Sequence, residues 1–201
     1  MKKHTKAQVA NPKGEVRIIA GLWRGRKLPV LNAQGLRPTG DRVKETLFNW
    51  LMPYIVDACC LDGFAGSGSL GFEALSRQAK SVTFLELDKA VAAQLSKNLQ
   101  TLKCGQDQAK VINQSSLDYL KQPQNPPHFA GFDIVFLDPP FNFGLAEQAI
   151  ALLAEHHWLA PNALVYVETE RDKPLNVPDS WTLLKEKTTG QVSYRLYQAN
   201  A

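Results

Sequence analysis

Three carboxylates mark where this chain could do chemistry. Asp138 follows the apolar run "FDIVFL" and precedes Pro139, Pro140 and Phe141. A carboxylate in that position is costly to bury without a partner, and two prolines stop a strand from continuing. Asp138 is therefore a turn-former, a metal ligand or part of an active site. Asp62 and Glu86 flank "LDGFAGSGSLG", where Gly66, Gly68 and Gly71 fit G-x-G-x-x-G and Glu86 lies twenty residues after Gly66. Between a strand and a helix, that spacing marks a nucleoside-cofactor site whose acid takes the ribose hydroxyls.

Charge narrows the choice of cofactor. A loop that binds phosphate offers backbone N–H groups and keeps anions away. Asp62, four residues before Gly66, would repel a pyrophosphate and welcome the ammonium or sulfonium of S-adenosylmethionine. No Lys-Ser/Thr follows the glycines, so this is not a P-loop. S-adenosylmethionine is favoured over NAD, with Glu86 on the ribose. A metal is not expected, because such a site needs several ligands and His156 and His157 are adjacent on a helix and cannot face one ion.

The elements that must position these groups follow from the hydrophobic pattern. "EVRIIAG" and "RKLPV" read as a hairpin around "LWRGR", and "GDRVKETLFNWL" as a helix capped by Thr39 or Asp41, with Val43, Leu47 and Leu51 inward. Strands are expected at "DACCLD", "SVTFLE", "AKVIN", "FDIVFL" and "NALVYVE". They alternate with helices at "SLGFEALSRQ", "DKAVAAQLSKNLQTL" (capped by Asp88), "SSLDYL" and "GLAEQAIALLAEHHWL". A closing hairpin, "WTLLKEK" and "QVSYRLYQ", adds an antiparallel edge. Such alternation builds a mostly parallel sheet with helices on both faces, and ligands bind outside the carboxyl ends of its strands. Those ends carry Asp62, Glu86, Asn113, Ser115, Asp138 and Glu168. Glu168 and Glu170 are expected to be strand-end residues without chemistry, and Trp23 and Trp50 to be packing residues. The prolines of "KQPQNPPHF" mark a surface loop.

Composition fits a single globular domain, with 44% hydrophobic and 21% charged residues among 201. No apolar run approaches the roughly 20 residues that cross a bilayer, and the basic N-terminus lacks the apolar core of a secretory signal. Cys59, Cys60 and Cys104 have no CxxC spacing and read as free thiols in a reducing, cytoplasmic setting. The net charge of +4 hides an asymmetry: residues 1–44 carry eleven Lys/Arg against two Asp/Glu, whereas residues 45–201 carry twelve against seventeen. A basic arm before a mildly acidic body suggests a polyanion approached from one side. Arg17, Arg24, Arg26, Lys27, Arg37 and Arg42 are its candidate contacts, since they sit among apolar residues rather than in a solvated tail.

"DPPF" beside this glycine loop resembles the Asn/Asp-Pro-Pro-aromatic signature of amino-group methyltransferases. An exocyclic base amine is a poor nucleophile because its lone pair is delocalised into the ring. Asp138 and the Pro139 carbonyl can each accept one of its N–H bonds. The lone pair is then freed, and Asp138 stabilises the charge that develops on nitrogen. Phe141 offers a face for a flipped base. The stretches "VRIIAGLWRGRKLPV", "GLRPTGDRVKETLFNWL", "LDGFAGSGSLGFEALSR", "FLELD", "FLDPPF" and "GQVSYRLYQ" together resemble the RsmD family of bacterial 16S rRNA guanine-N2 methyltransferases. The resemblance implies a Rossmann-like class I fold with a seven-stranded sheet, and S-adenosylmethionine as methyl donor. The implied substrate is one guanine, conventionally numbered 966, in the small ribosomal subunit or its late assembly intermediate, where ribosomal proteins form part of the surface met.

Carried over by motif, the resemblance gives Asp138, Pro139 and Phe141 the guanine amine. Asp62, Gly63, Phe64, Gly66 and Gly68 take the methionine end of the cofactor, Glu86 the ribose and Leu87 the adenine. Ser115 and Ser116 stand where many methyltransferases place an acid near the adenine, and Thr39 and Arg37 belong to a cofactor-covering motif. Phe141 replaces a more usual tyrosine. Expected divisions are a disordered basic tail at 1–14, an RNA-contacting hairpin and helix at 15–53 and a monomeric methyltransferase domain at 54–201. Rival functions are a DNA adenine-N6 or cytosine-N4 methyltransferase, for which little chain remains to recognise a target, an inactive RNA-binding assembly factor, and an NAD dehydrogenase.

Overall fold

The computed structural model describes residues 14–31, 40–122, 129–141 and 143–200. Most of the basic tail, Arg37, Thr39 and the centre of the proline loop lie outside them. The alternating pattern yields the expected sheet. Strands β3 (Cys59–Asp62), β4 (Ser81–Leu85), β5 (Ala109–Ile112), β6 (Phe132–Leu137), β7 (Leu159–Glu170), β8 (Trp181–Thr189) and β9 (Val192–Ala199) form seven strands in the order β5-β4-β3-β6-β7-β9-β8. The first five are mutually parallel, and β9 runs antiparallel between β7 and β8. Strand order reverses at β3, which has β4 on one side and β6 on the other. The crevice at a sheet's carboxyl edge opens at such a switch point.

Helices α2 (Ser69–Ser76), α3 (Lys89–Leu102), α4 (Ser116–Leu120) and α5 (Leu145–Glu155) connect the parallel strands. Asp88 caps α3 as expected, accepting from the Ala90 and Val91 amides. Helix α1 (Asp41–Leu51) departs from expectation. Gly40 is its N-cap without a side-chain bond, and Asp41 lies within the first turn, paired with Lys44 at 3.4 Å. Strand β7 also begins earlier than "NALVYVE", passing Pro161 beside a register shift against β6 that leaves the proline no ladder bond to make. None of the described helices is long and apolar enough to cross a membrane.

The N-terminal hairpin, β1 (Gly14–Arg17) and β2 (Lys27–Val30), pairs antiparallel and shares the main core. Val16, Ile18, Leu28 and Val30 pack into one cluster with Phe48 of α1, Phe72 of α2 and Phe136 of β6. Two buried charges pin it there. Glu73 accepts from the Ile19 and Ala20 amides at 2.8 and 3.1 Å and from Arg77 Nε at 2.8 Å. Lys44 donates to the Arg17 carbonyl. A buried charge persists when hydrogen bonds satisfy it in this way. Trp23 packs against this cluster and Trp50 stacks on Tyr194 at 5.6 Å, so both are packing residues.

Candidate active site

Asp62 ends β3 and is 3% exposed. Its carboxylate accepts from the Gly71 amide at 3.0 Å, tying the strand end to the first turn of α2. The helix can come so close only because residue 71 has no side chain: a Cβ there would stand 2.1 Å from the Phe84 ring. Gly68 caps α2 with φ +73, the left-handed conformation that favours glycine. Glu86 accepts from the Gly66 amide with one oxygen and from the Asp88 amide with the other, both at 2.8 Å. It thus holds the glycine loop against the end of β4 and keeps further lone pairs for a diol. Asn113 donates to the Glu86 and Leu87 carbonyls and fixes the turn that leaves Leu87 73% exposed.

The serines divide. Ser115 caps α4, while buried Ser116 donates a short hydrogen bond to the Gly63 carbonyl. Ser116 therefore supports the glycine loop from behind. Gly63 donates in turn to the Phe136 carbonyl, locking the loop to β6. Phe64 packs on the second core cluster.

Asp62 pairs with Phe136 in register, so Asp138 stands two residues past that pair on the neighbouring strand. Burial pushes the Asp62 carboxyl up to about 7. The Gly71 amide opposes the rise, and the charges of Asp138 and Glu86 add to it. A crevice with carboxylates on three adjacent strand ends is an unfavourable place for another anion and a favourable one for a cation. The residues present therefore fit a ligand with a cationic methionine end and, at Glu86, a ribose diol. Pro139 is buried and Phe141 half-buried. Beside them a groove runs between α5 and the end of β7, lined by Phe141, Leu145, Glu168, Glu170 and Lys173.

Glu168 is more than an exposed strand end. It is 6% exposed, accepts from Tyr166 Oη at 2.7 Å and shares a hydrogen bond with Asp138. Burial and the Asp138 charge push its carboxyl up to about 8. The available signal was alternation: Leu164, Tyr166 and Glu168 occupy one face of a strand buried on both sides, where a lone carboxylate needs a reason.

These two raised carboxyls set a pH dependence. Each keeps a proton in the fold that the unfolded chain has already lost. Their stabilisation is complete below about pH 4 and disappears as pH rises through about 7 for Asp62 and 8 for Glu168. The slope approaches about 1.4 kcal/mol per pH unit for each group. The ligand-free protein should therefore melt at a lower temperature at about pH 9 than at about pH 6, and Asp62→Asn should flatten the difference. A melting temperature that rises over that interval would contradict the assignment.

The candidate polyanion contacts that fall among the described residues, Arg17, Arg24, Arg26, Lys27 and Arg42, are all exposed. Lys27 pairs with Glu15 at 3.1 Å, and Arg26 donates to the Thr101 carbonyl at 2.9 Å. Each therefore has a structural engagement that a polyanion would have to compete with.

Comparisons with known proteins agree with this geometry. The family described as conserved hypothetical protein 95 matches residues 16–198. A ribosomal RNA small subunit methyltransferase D from Haemophilus influenzae is 80% identical over 193 residues, covering 96% of this chain and 98% of that protein. An Escherichia coli protein of the same name is 57% identical over 189 residues, covering 94% and 92%. A crystal structure from H. influenzae, 76% identical, has a TM-score of 0.82 and covers 94% of this chain and 100% of that one. TrmN from Thermus thermophilus, 19% identical with a TM-score of 0.62 over 78% of this chain and 48% of that one, shares the fold. The architecture is the Rossmann-like class I methyltransferase fold.

Proposed function

The chain belongs to the ribosomal RNA small subunit methyltransferase D family, and we propose that it transfers a methyl group to the exocyclic N2 of one guanine in 16S rRNA, the position conventionally numbered 966. S-adenosylmethionine is the donor. The observation that carries methyl transfer to an amine is the placement of Asp62 and Asp138 at adjacent strand ends, close enough for one charge to raise the other's pKa, beside the glycine loop; the choice of guanine rests on the family.

Asp62 and the loop from Gly63 to Gly68 hold the methionine end, Glu86 the ribose and Leu87 the adenine. When bound, the cofactor supplies an electrophilic methyl group on a sulfonium. Asp138 and the Pro139 carbonyl accept the two N–H bonds of the guanine amine, which turns its lone pair out of the ring. As charge develops on nitrogen, Asp138 stabilises it and then takes the proton. Phe141 stacks on the extruded base, because an amine inside a helix cannot reach the end of β6. The rigid hairpin presents Arg24 to the phosphate backbone. The substrate is the small subunit or its late assembly intermediate in the cytoplasm, and the enzyme acts as a monomer.

Arg24→Ala should weaken RNA binding uniformly and reduce the slope of log affinity against log salt by about one. An unchanged slope would make Arg24 a structural residue. The reaction itself is tested by offering labelled cofactor with 30S particles from a strain lacking the enzyme, protein-free 16S rRNA, or unmethylated DNA. Label is expected in the particles. Label in DNA alone would overturn the reading.

A further inference from the structure

Resting on the methyl-transfer reading above, we propose that Glu168 is a positioning residue for Asp138: as the protonated member of a carboxyl–carboxylate pair, it fixes which Asp138 oxygen faces the substrate amine. The register of β6 and β7 carries the geometry. Leu137 pairs with Val167, so the next residues along, Asp138 and Glu168, emerge side by side at the carboxyl edge. Their carboxyl groups are hydrogen-bonded to one another. An ionised carboxylate can only accept, so this contact contains one proton. Burial raises the proton affinity of Glu168, and Glu168 is 6% exposed whereas Asp138 is only half-buried, so the more deeply buried partner, Glu168, carries the proton.

Behind the pair stands a rigid support. Tyr166 Oη donates to Glu168 Oε1, the Tyr166 ring packs on Tyr194, and Tyr194 stacks on Trp50 of α1. Glu168 cannot rotate away without leaving the tyrosine hydroxyl unpaired in the core. The arrangement suits the reaction in two ways. Asp138 keeps one full negative charge for the developing ammonium, because its neighbour is neutral. When the methylated nitrogen loses its proton, one N–H bond breaks, the electron pair stays on nitrogen and the proton passes to Asp138. Glu168 keeps its own proton throughout.

Among the described residues, other titratable groups lie on the elements that flank β7. Tyr166 lies on its own strand and Tyr194 on β9. From α1, Asp41 and Lys44 are paired with each other. Towards the groove, Glu170 pairs with Lys173, and Glu147 of α5 accepts from the Asn176 amide. On the opposite face of β7, Arg195 is bound to Thr169 and Glu186.

The test compares Glu168→Leu and Glu168→Gln with the parent enzyme in kcat, KM for 30S particles, cofactor Kd and the pH profile of kcat. Glutamine can donate to Asp138 and accept from Tyr166, and it cannot ionise. Leucine should lower kcat roughly ten- to a hundredfold, the equivalent of one hydrogen bond to a charged group, with KM and Kd unchanged. Glutamine should restore most of that rate. It should also abolish the alkaline loss of activity that the parent shows as Glu168 ionises and a second negative charge faces Asp138. Independently of turnover, a carbon-13 NMR titration of the ligand-free protein should show one glutamate carboxyl still protonated at neutral pH, and Glu168→Gln should lack it. An unchanged kcat for leucine, an alkaline limb retained by glutamine, or the absence of that carboxyl would each overturn the proposal. In those cases the parent still methylates rRNA. A parent that transfers no methyl at all would instead remove the underlying reading, and this proposal with it.

Discussion

Asp138→Ala should lower methyl transfer on the order of a thousandfold while changing cofactor affinity little. In the proposed reaction it is hydrogen-bond acceptor, charge stabiliser and proton acceptor for the substrate amine, and removing such electrostatic and base contributions carries losses of that order. The proposed cofactor contacts lie mainly one strand away, on Asp62, the glycine loop and Glu86. Single-turnover transfer to 30S particles and calorimetric binding of S-adenosylmethionine, done on the same preparation, separate the two. Parallel loss of both would place Asp138 in the cofactor site. Asp138→Asn should recover little, because a carboxamide offers neither the charge nor the base.

Asp62→Asn should weaken cofactor binding on the order of a hundredfold, as happens when one partner of a buried charge pair is truncated. The pH dependence gives the sharper signature. With its carboxyl at about 7 in the ligand-free protein, Asp62 is largely protonated in mildly acidic solution, whereas a cationic methionine end prefers the carboxylate. Binding therefore releases a proton. Affinity should rise from about pH 5.5 to about pH 7.5, by at most tenfold per unit. Calorimetry in two buffers of different ionisation enthalpy reads the proton directly. In Asp62→Asn both the proton release and the slope should vanish. Affinity that falls over that interval would contradict the placement of the cation beside Asp62.

Much of the site was legible because its logic is local. The spacing of Gly66, Gly68 and Gly71, the acid twenty residues on, and the proline pair after an apolar strand are all fixed by short-range backbone geometry. Strand alternation then required these groups to meet at one edge of the sheet. What escaped was long-range. Glu73 is an acid on the buried face of α2, and its partners Ile19 and Ala20 lie 54 and 53 residues away. Lys44 is a charged residue buried to 1% exposure, and its ammonium reaches the Arg17 carbonyl, 27 residues away. Glu168 looked like an ordinary strand end until the register of β6 against β7 set it beside Asp138. The expected cap of α1, Thr39 or Asp41, failed for a different reason: Gly40 is the N-cap, and the pairing of Asp41 with buried Lys44 keeps the aspartate inside the first turn.

The hairpin also changes meaning once its attachments are seen. A basic arm flexibly joined to a catalytic domain would find RNA by diffusion of the arm. This one shares the core with the sheet and is clamped by Glu73, Lys44 and Ser76. Arg24 therefore has a fixed displacement from Asp138, and in the proposed reaction phosphate contacts at the hairpin would set which nucleotide reaches that carboxylate.

That link between a fixed arm and one reacting amine is tested most directly by nucleoside identity. The 30S particles from a strain lacking the enzyme are incubated with the protein and methyl-labelled S-adenosylmethionine. The 16S rRNA is then digested, and the label is assigned by mass spectrometry. One N2-methylguanosine per particle, all in a single fragment, is the expected result. Label in N6-methyladenosine or in a pyrimidine, or label spread over many guanines, would contradict it.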